Sequence, residues 1–66
     1  MSDYRVCMKK IGQHEFINNM KFDNKEDAEH YAKNQSVTDV KHIYEVQKNN
    51  NGDFSTIKSY SNGQEK

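Results

Sequence analysis

The dipeptide Asn51-Gly52 constrains this chain more than any other feature, because the residues on both sides of it alternate between apolar and polar. Asn-Gly between two alternating segments is a strong signal for a β-hairpin with a two-residue turn. The predicted register places apolar residues opposite each other on one face and opposite charges on the other, as a half-buried hairpin requires. The predicted pairs are Val46–Ile57, Tyr44–Ser59 and Glu45–Lys58.

A second hairpin is predicted near the start of the chain, around Gly12, which can supply the positive φ that a tight loop needs. A three-residue loop, Ile11-Gly12-Gln13, keeps apolar residues opposite one another, whereas a two-residue loop, Gly12-Gln13, would mix the two faces. The apolar faces consist of Tyr4, Val6 and Met8 on one strand and Phe16, Met20 and Phe22 on the next. The predicted pairs are Met8–Phe16, Val6–Asn18, Tyr4–Met20 and Cys7–Ile17.

One helix is predicted between the hairpins. Asp23-Asn24-Lys25-Glu26 has the pattern of a capping box, with Asp23 as the N-cap. Ala28, Tyr31 and Ala32 follow at the spacing of one helix face. The run Asn34-Gln35-Ser36 has weak helix propensity, so we expect the helix to end there.

Together with a third strand in which Val40, His42, Tyr44 and Val46 alternate, this order predicts a small α+β domain of ββαββ type. Two hairpins would form an antiparallel sheet, and one helix would pack on one of its faces. Residues 1–66 form a single domain in this interpretation. Residues 60–66 are expected to fray, because the segment Ser61–Lys66 is polar throughout.

Composition limits what stabilises such a domain. Only 32% of the residues are hydrophobic, and Leu is absent from the 66 residues. A core of this size supplies no more than about 3–5 kcal/mol, and small domains commonly add a disulfide, a metal or a partner. A single Cys cannot form an internal disulfide. The composition therefore favours binding to a larger protein or to a second copy of the chain.

Other features concern the compartment and the source. No apolar run approaches the length of about 20 residues that a membrane span needs, so no membrane association is expected. The first residues lack the apolar region of a signal peptide, and a lone Cys suits a reducing environment, so we expect a cytoplasmic protein. Abundant Lys and Asn are typical of an AT-rich genome, which suggests a bacterium or its phage.

Chemistry-bearing residues are few and scattered. Cys7, His14, His30 and His42 have no metal-ligand spacing, and no base is arranged beside the thiol of Cys7. Three Gly residues cannot form a phosphate-binding loop. We therefore expect no enzyme activity, no metal and no cofactor.

The sheet face without the helix is the predicted binding surface, since an exposed apolar patch on a small domain often marks an interface. Its predicted residues surround Cys7 and are Ile17, Ile43, Phe54 and Tyr60. An acidic surface at the start of the helix is the alternative, although acidic side chains there also suit the helix dipole. That surface consists of Asp23, Glu26, Asp27 and Glu29.

The first half of the chain resembles the AP2-like DNA-binding domain of tyrosine integrases. In that family a strand pair with a Gly turn leads into a capped helix that carries Ala and an aromatic residue, and Phe22, Lys25, Ala28 and Tyr31 match this pattern. The resemblance implies DNA contacts from the sheet. Phosphate contacts would then come from Arg5, Lys9, Lys21, Lys41 and Lys58, and Tyr60 would stack on a base. The zero net charge and the second hairpin depart from the family.

The sequence thus predicts a small non-enzymatic interaction protein, of bacterial or phage origin, that binds and occludes a site on a larger host or defence protein. The alternative is a sheet-based nucleic-acid-binding module of the integrase type. A third interpretation is a homodimer.

Overall fold

A computed structural model describes residues 3–66 and has one helix packed on one side of a five-stranded antiparallel sheet. The predicted α+β class, with one helix on one face of an antiparallel sheet, is confirmed. The sheet order is β2-β1-β3-β4-β5. The elements are β1 (Tyr4–Lys10), β2 (Asn18–Phe22), α1 (Lys25–Thr38), β3 (His42–Asn50), β4 (Asp53–Ser61) and β5 (Gln64–Glu65).

The centre of the sheet is the pairing of β1 with β3, which joins the two halves of the chain. Val6 lies opposite Val46, and both are buried beneath the helix. Ala28 and Ala32 of α1 are completely buried, and their small side chains allow the helix backbone to approach the sheet closely. The buried apolar cluster consists of Val6, Ala28, Ala32, Tyr44, Val46 and Tyr60.

The β3–β4 hairpin follows the predicted register for half of its length. Asn51 and Gly52 both have positive φ, 55° and 97°, and the pairing runs as predicted from the turn to Gln47 opposite Thr56. A register shift between Val46 and Gln47 then skips Ile57. The three predicted pairs beyond this point are therefore wrong. The observed pairs are Val46–Lys58, Glu45–Ser59 and Tyr44–Tyr60.

This β-bulge has a physical reason in the core. An extra residue on one strand turns every later side chain to the opposite face. The shift brings Tyr60 to the helix side, where it is 6% exposed, and leaves Ile57 at 38% exposure. Burial of an aromatic side chain contributes more apolar contact than burial of the Ser59 side chain would.

The β1–β2 hairpin has a longer loop than predicted, because β2 begins only at Asn18 and residues 11–17 form the connection. The loop is held by three backbone hydrogen bonds: the Ile11 N–H donates to the Lys41 carbonyl, the Gln13 N–H to the Lys10 carbonyl and the Ile17 N–H to the Met8 carbonyl. The predicted three-residue loop and its register are wrong. The observed pairs include Tyr4–Phe22, Val6–Met20, Met8–Asn18 and Cys7–Asn19.

The shift along β2 amounts to two residues, so the faces of Met20 and Phe22 are unchanged. Phe22 gains a position opposite Tyr4 and packs on Tyr31 of the helix, with ring centroids 5.3 Å apart. Phe16, predicted as a strand residue of the apolar face, lies in the loop instead. These contacts explain why the longer loop is preferred.

Both ends of α1 differ from the prediction. The N-cap is Asn24 instead of Asp23, and the Asn24 side chain accepts a hydrogen bond of 2.8 Å from the Asp27 N–H. At the other end the helix continues through Ser36 to Thr38. Ser36 is fully buried; its hydroxyl donates to the Lys33 carbonyl and accepts from the Gly63 N–H at 3.0 Å. This tertiary contact overrides the weak local helix propensity.

The C-terminal segment forms a turn and a short strand, whereas the sequence analysis expected residues 60–66 to fray. Asn62 and Gly63 adopt φ of 56° and 77°, and they connect β4 to β5 in a tight turn. Ser61 pairs with Gln64, and the Lys66 N–H donates to the Ser59 carbonyl at 2.7 Å. The signal that sequence analysis missed is the second Asn-Gly dipeptide of the chain, which has the same turn preference as the first.

We predict that Gly63→Ala destabilises the fold more than Gly52→Ala does. Both substitutions place Ala at positive φ, which costs about 1–2 kcal/mol. The new Cβ at Gly63 would also clash, since it would lie 2.8 Å from Val37 Cγ2, whereas at Gly52 no atom of the described residues lies within 4 Å of it. Urea unfolding measures both losses, and Val37→Ala in the Gly63→Ala background should remove the excess. Equal losses for the two Gly variants would contradict the packing of this turn on α1.

Candidate functional site on the open face of the sheet

The side of the sheet opposite α1, called the open face below, is the candidate site. Val6, Tyr44 and Val46 point to the helix, so the residues that alternate with them point away from it. The β-bulge places Lys58 and Tyr60 on the helix side, whereas Phe54 and Thr56, which precede it, lie on the open face with Gln47. The open face includes Arg5, Cys7, Lys9, Lys21, Ile43, Glu45, Gln47, Phe54 and Thr56.

Gln47 is the centre of a hydrogen-bonded array on this face. Its Oε1 accepts from Arg5 Nε at 2.7 Å and from Cys7 Sγ at 3.5 Å, and its Nε2 donates to Thr56 Oγ1 at 3.2 Å. Gln47 is only 6% exposed although no helix covers it. A buried amide with both of its ends paired is held in one rotamer, so the neighbouring side chains are ordered as well.

Glu45 extends the array toward the end of β1. It accepts a hydrogen bond of 2.8 Å from the Thr56 hydroxyl and forms an ion pair of 3.2 Å with Lys9. The Thr56 hydroxyl thus accepts from Gln47 and donates to Glu45. The result is a continuous series of polar contacts across β1, β3 and β4.

Two aromatic rings flank the array, and a cation lies over each of them. The Arg5 guanidinium lies 3.8 Å from the centroid of Phe54, and the Lys9 ammonium lies 5.3 Å from the centroid of Phe16. Both distances are within the range of a cation–π interaction. Arg5 and Lys9 also lie on either side of Cys7 along β1, and Cys7 is 2% exposed.

The environment of Cys7 disfavours the thiolate form of its side chain. Burial raises the pKa of Cys7, the nearby Glu45 carboxylate acts in the same direction, and only Arg5 opposes them. The thiolate is the nucleophilic form of Cys, so a raised pKa leaves little of it at neutral pH. What this face offers chemically is a set of fixed donors and acceptors, with no activated nucleophile at Cys7.

The four predicted binding residues do not lie together on one face of the sheet. Ile43 and Phe54 lie on the open face and are half-buried. Ile17 precedes β2 and is strongly exposed. Tyr60 is in the core beneath α1, so its predicted place on the outer face is wrong. The β-bulge at Ile57 is the reason.

The five cationic residues of the nucleic-acid alternative also do not share one surface. Arg5 and Lys21 lie opposite each other on the open face, and Lys9 lies on the same face. Lys58 lies on the helix side, 3.5 Å from Glu29 and 3.6 Å from Glu65. Lys41 lies in the turn before β3.

The acidic surface of α1 is partly occupied by internal contacts. Glu29 Oε2 lies 3.7 Å from Lys25 Nζ and 3.5 Å from Lys58 Nζ, which are ion-pair distances longer than a good hydrogen bond. Asp27 belongs to the helix cap, where its Oδ2 accepts from the Asn24 side chain at 3.0 Å. These contacts give both carboxylates a structural role.

A second polar cluster, which sequence analysis missed, joins the end of α1 to β3. Asp39 is the C-cap of the helix; its Oδ1 lies 2.9 Å from His42 Nδ1, and its Oδ2 accepts a hydrogen bond of 2.9 Å from the Tyr44 hydroxyl. The hydrogen bond with His42 is the main cause that lowers the pKa of Asp39, and Tyr44 adds to it. No spacing rule predicts this cluster, because it depends on the angle between helix and strand.

Within residues 3–66, no group of three or more His, Cys, Asp or Glu side chains is placed to bind a metal ion. Over the same range, α1 is too short and too polar to cross a membrane. Comparisons with models of protein families, with curated proteins and with solved structures return no match for this chain. The resemblance to the integrase domain therefore stays an expectation.

We predict that Gln47→Ala lowers the free energy of unfolding by about 1–3 kcal/mol, because it removes hydrogen bonds to the buried Cys7 and to the partly buried Arg5, as well as one to Thr56. The same change opens the face beside Cys7, so the thiol should react faster with a disulfide reagent. Urea unfolding and the rate of thiol modification measure the two effects. Gln13→Ala, in the exposed loop, is the matched control and should change neither. An unchanged thiol rate in Gln47→Ala would show that Gln47 does not shield Cys7.

We predict that stability falls between pH 10 and 12, because the Tyr44 hydroxyl ionises at a lower pH in the unfolded chain than in the fold. Burial and, after it, the hydrogen bond to Asp39 together raise the pKa of Tyr44 to about 12. An unfolded Tyr has a pKa of about 10, so the unfolded chain releases this proton first and gains stability relative to the fold as pH rises. Ultraviolet absorbance of tyrosinate and urea unfolding at each pH measure the effect.

Two variants separate the causes of this shift. Tyr44→Phe should remove one late-titrating phenol and reduce the loss of stability at high pH. Asp39→Asn should lower the pKa of Tyr44 only in part, because burial is the larger cause. A return of the Tyr44 pKa to its ordinary value in Asp39→Asn would contradict this order of causes.

Proposed function

We propose that this chain is a small non-enzymatic interaction protein that binds a larger protein through the open face and thereby occludes a site on it. The observation that carries the proposal is the hydrogen-bonded array around Gln47, which orders polar side chains on the sheet face that the helix leaves uncovered. Side chains that are already ordered lose less conformational entropy when a partner binds.

The chemistry of the open face indicates what kind of partner surface it fits. Among the described strand residues it has three cations, Arg5, Lys9 and Lys21, and one carboxylate, Glu45. Ile43 and Phe54 add apolar area at half-buried positions. Arg and aromatic residues contribute strongly to protein interfaces. The partner surface that complements this face is acidic, with apolar side chains between the carboxylates.

The shape of the domain supports the same proposal. The helix occupies one side of the sheet, and its tertiary contacts with Gly63 and Lys58 are already formed. A partner can bind on the open face without displacing an element of the fold. The apolar core is small, so binding on this side also adds burial that the chain by itself lacks.

We predict that Phe54→Ala and Ile43→Ala each weaken capture of the partner by tenfold or more, a loss typical of residues at the centre of an interface. The experiment is an affinity pull-down from a lysate of the source organism, followed by titration of the purified partner. Val40→Ala is the matched control, because Val40 is an exposed aliphatic residue outside the open face. A partner that binds both open-face variants and the control equally would place the interface elsewhere.

A second experiment tests whether the chain binds nucleic acid. Binding to labelled DNA and RNA is measured by fluorescence anisotropy at low and high salt, since phosphate contacts give a steep salt dependence. We expect no binding at low salt, because the cationic residues are divided between two sides of the sheet. Salt-sensitive binding that Arg5→Gln weakens and Lys33→Gln does not would favour the nucleic-acid alternative.

A further inference from the structure

The edge strand β2 offers a surface that the proposed function does not use. It is the outer strand of the sheet, and within residues 3–66 no strand pairs with its outer side. Four of its five residues are exposed, and Met20 is 50% exposed although it lies on the helix side of the sheet. An edge of this kind presents unpaired backbone groups that can pair with another strand.

The outward backbone groups of β2 belong to Asn19 and Lys21. The Asn19 N–H donates to the side-chain oxygen of Asn18 at 2.8 Å, so it points away from β1. Inward and outward groups alternate from residue to residue in an antiparallel edge strand, so the backbone groups of Lys21 point outward as well. This edge therefore offers two donors and two acceptors at residues 19 and 21.

The other edge of the sheet is protected in ways that β2 is not. β5 has only two residues, and the exposed part of β4 is interrupted by the bulge at Ile57. Short strands and bulges are devices that prevent edge-to-edge pairing. The β1–β2 pairing, by contrast, is regular over all five residues of β2. Lys21 is the one charged residue of this strand.

We propose that β2 pairs antiparallel with β2 of a second copy of this chain, with Met20 on the two-fold axis. In this register Asn19 lies opposite Lys21 of the second copy, and the outward groups of both residues form four intermolecular hydrogen bonds. Met20 meets the same residue of the second copy. The Asn18 side chain must release the Asn19 N–H when the strands pair.

The two neighbouring registers are less favourable. An axis at Lys21 would place two ammonium groups opposite each other, which is destabilising in a strand pair. An axis at Asn19 would require outward backbone groups at Ile17, but the Ile17 N–H is bonded to the Met8 carbonyl at 2.8 Å. Only the axis at Met20 pairs all the outward groups without opposing like charges.

The net charge of the chain is compatible with a second copy as the partner of β2. The formal net charge is zero, so two copies do not repel each other over long range. Pairing would bury the half-exposed Met20 side chains against each other and create a ten-stranded sheet. A two-fold axis perpendicular to the sheet leaves both open faces on the same side. The dimer forms independently of whether the open face binds a partner.

The test uses sedimentation equilibrium of the full chain at concentrations up to about 1 mM, where even a millimolar dimer is half formed. The wild-type chain should show a concentration-dependent dimer. Met20→Lys and Met20→Glu should each weaken it at least tenfold, because each variant opposes like charges on the axis. An equal mixture of the two variants should restore the dimer. Restoration by mixing occurs only if residue 20 faces residue 20.

Controls separate this interface from a general effect of charge. Val40→Lys and Val40→Glu change a similarly exposed aliphatic residue and should dimerise as the wild type does. Lys21→Pro removes an outward donor and should weaken the dimer, whereas Lys21→Ala keeps that donor and should not. A wild-type monomer at every concentration would overturn the proposal, and so would a dimer that the position-20 variants leave unchanged.

Discussion

The pairing of β1 with β3 is the interaction on which the rest of the structure depends. It joins two hairpins that the helix separates in the chain, and it brings Val6 and Val46 together at the centre of the sheet. The helix can pack there only because Ala28 and Ala32 are small enough to let its backbone approach. In a chain without Leu, the remaining bulk of the core comes from aromatic residues that both hairpins contribute. Loss of the central pairing would leave each hairpin without a core.

The β-bulge at Ile57 divides β4 into two parts with different roles. Before the bulge, Phe54 and Thr56 belong to the open face, where they contact Arg5 and Gln47. After it, Tyr60 joins the core and Lys58 reaches Glu29 on the helix. One extra residue thus lets a single strand supply both the uncovered surface and the core. The same bulge interrupts the free edge of β4, so β2 is the longer edge strand with regular, unpaired backbone groups.

The candidate site could be predicted only in part. Alternation in the first strand placed Cys7 on the side away from the helix, and the turn at Asn51-Gly52 placed Phe54 there as well. The role of Gln47 was not predictable, because its importance depends on three partners from two other strands. The Asp39 cluster was missed for a similar reason, since it exists only where the end of the helix meets β3.

The sequence by itself determined the order of the first five elements, the α+β class, the position of the Asn51-Gly52 turn and the faces of β1. These follow from local rules, namely the period of the side chains and the conformations that Asn and Gly adopt. Only the tertiary structure decided the loop of the first hairpin, the bulge and the end of the helix. Each of these is a choice between local alternatives of similar energy. Phe22 against Tyr31, Tyr60 against the core and Ser36 against Gly63 make the difference, and all three are contacts between residues distant in the chain.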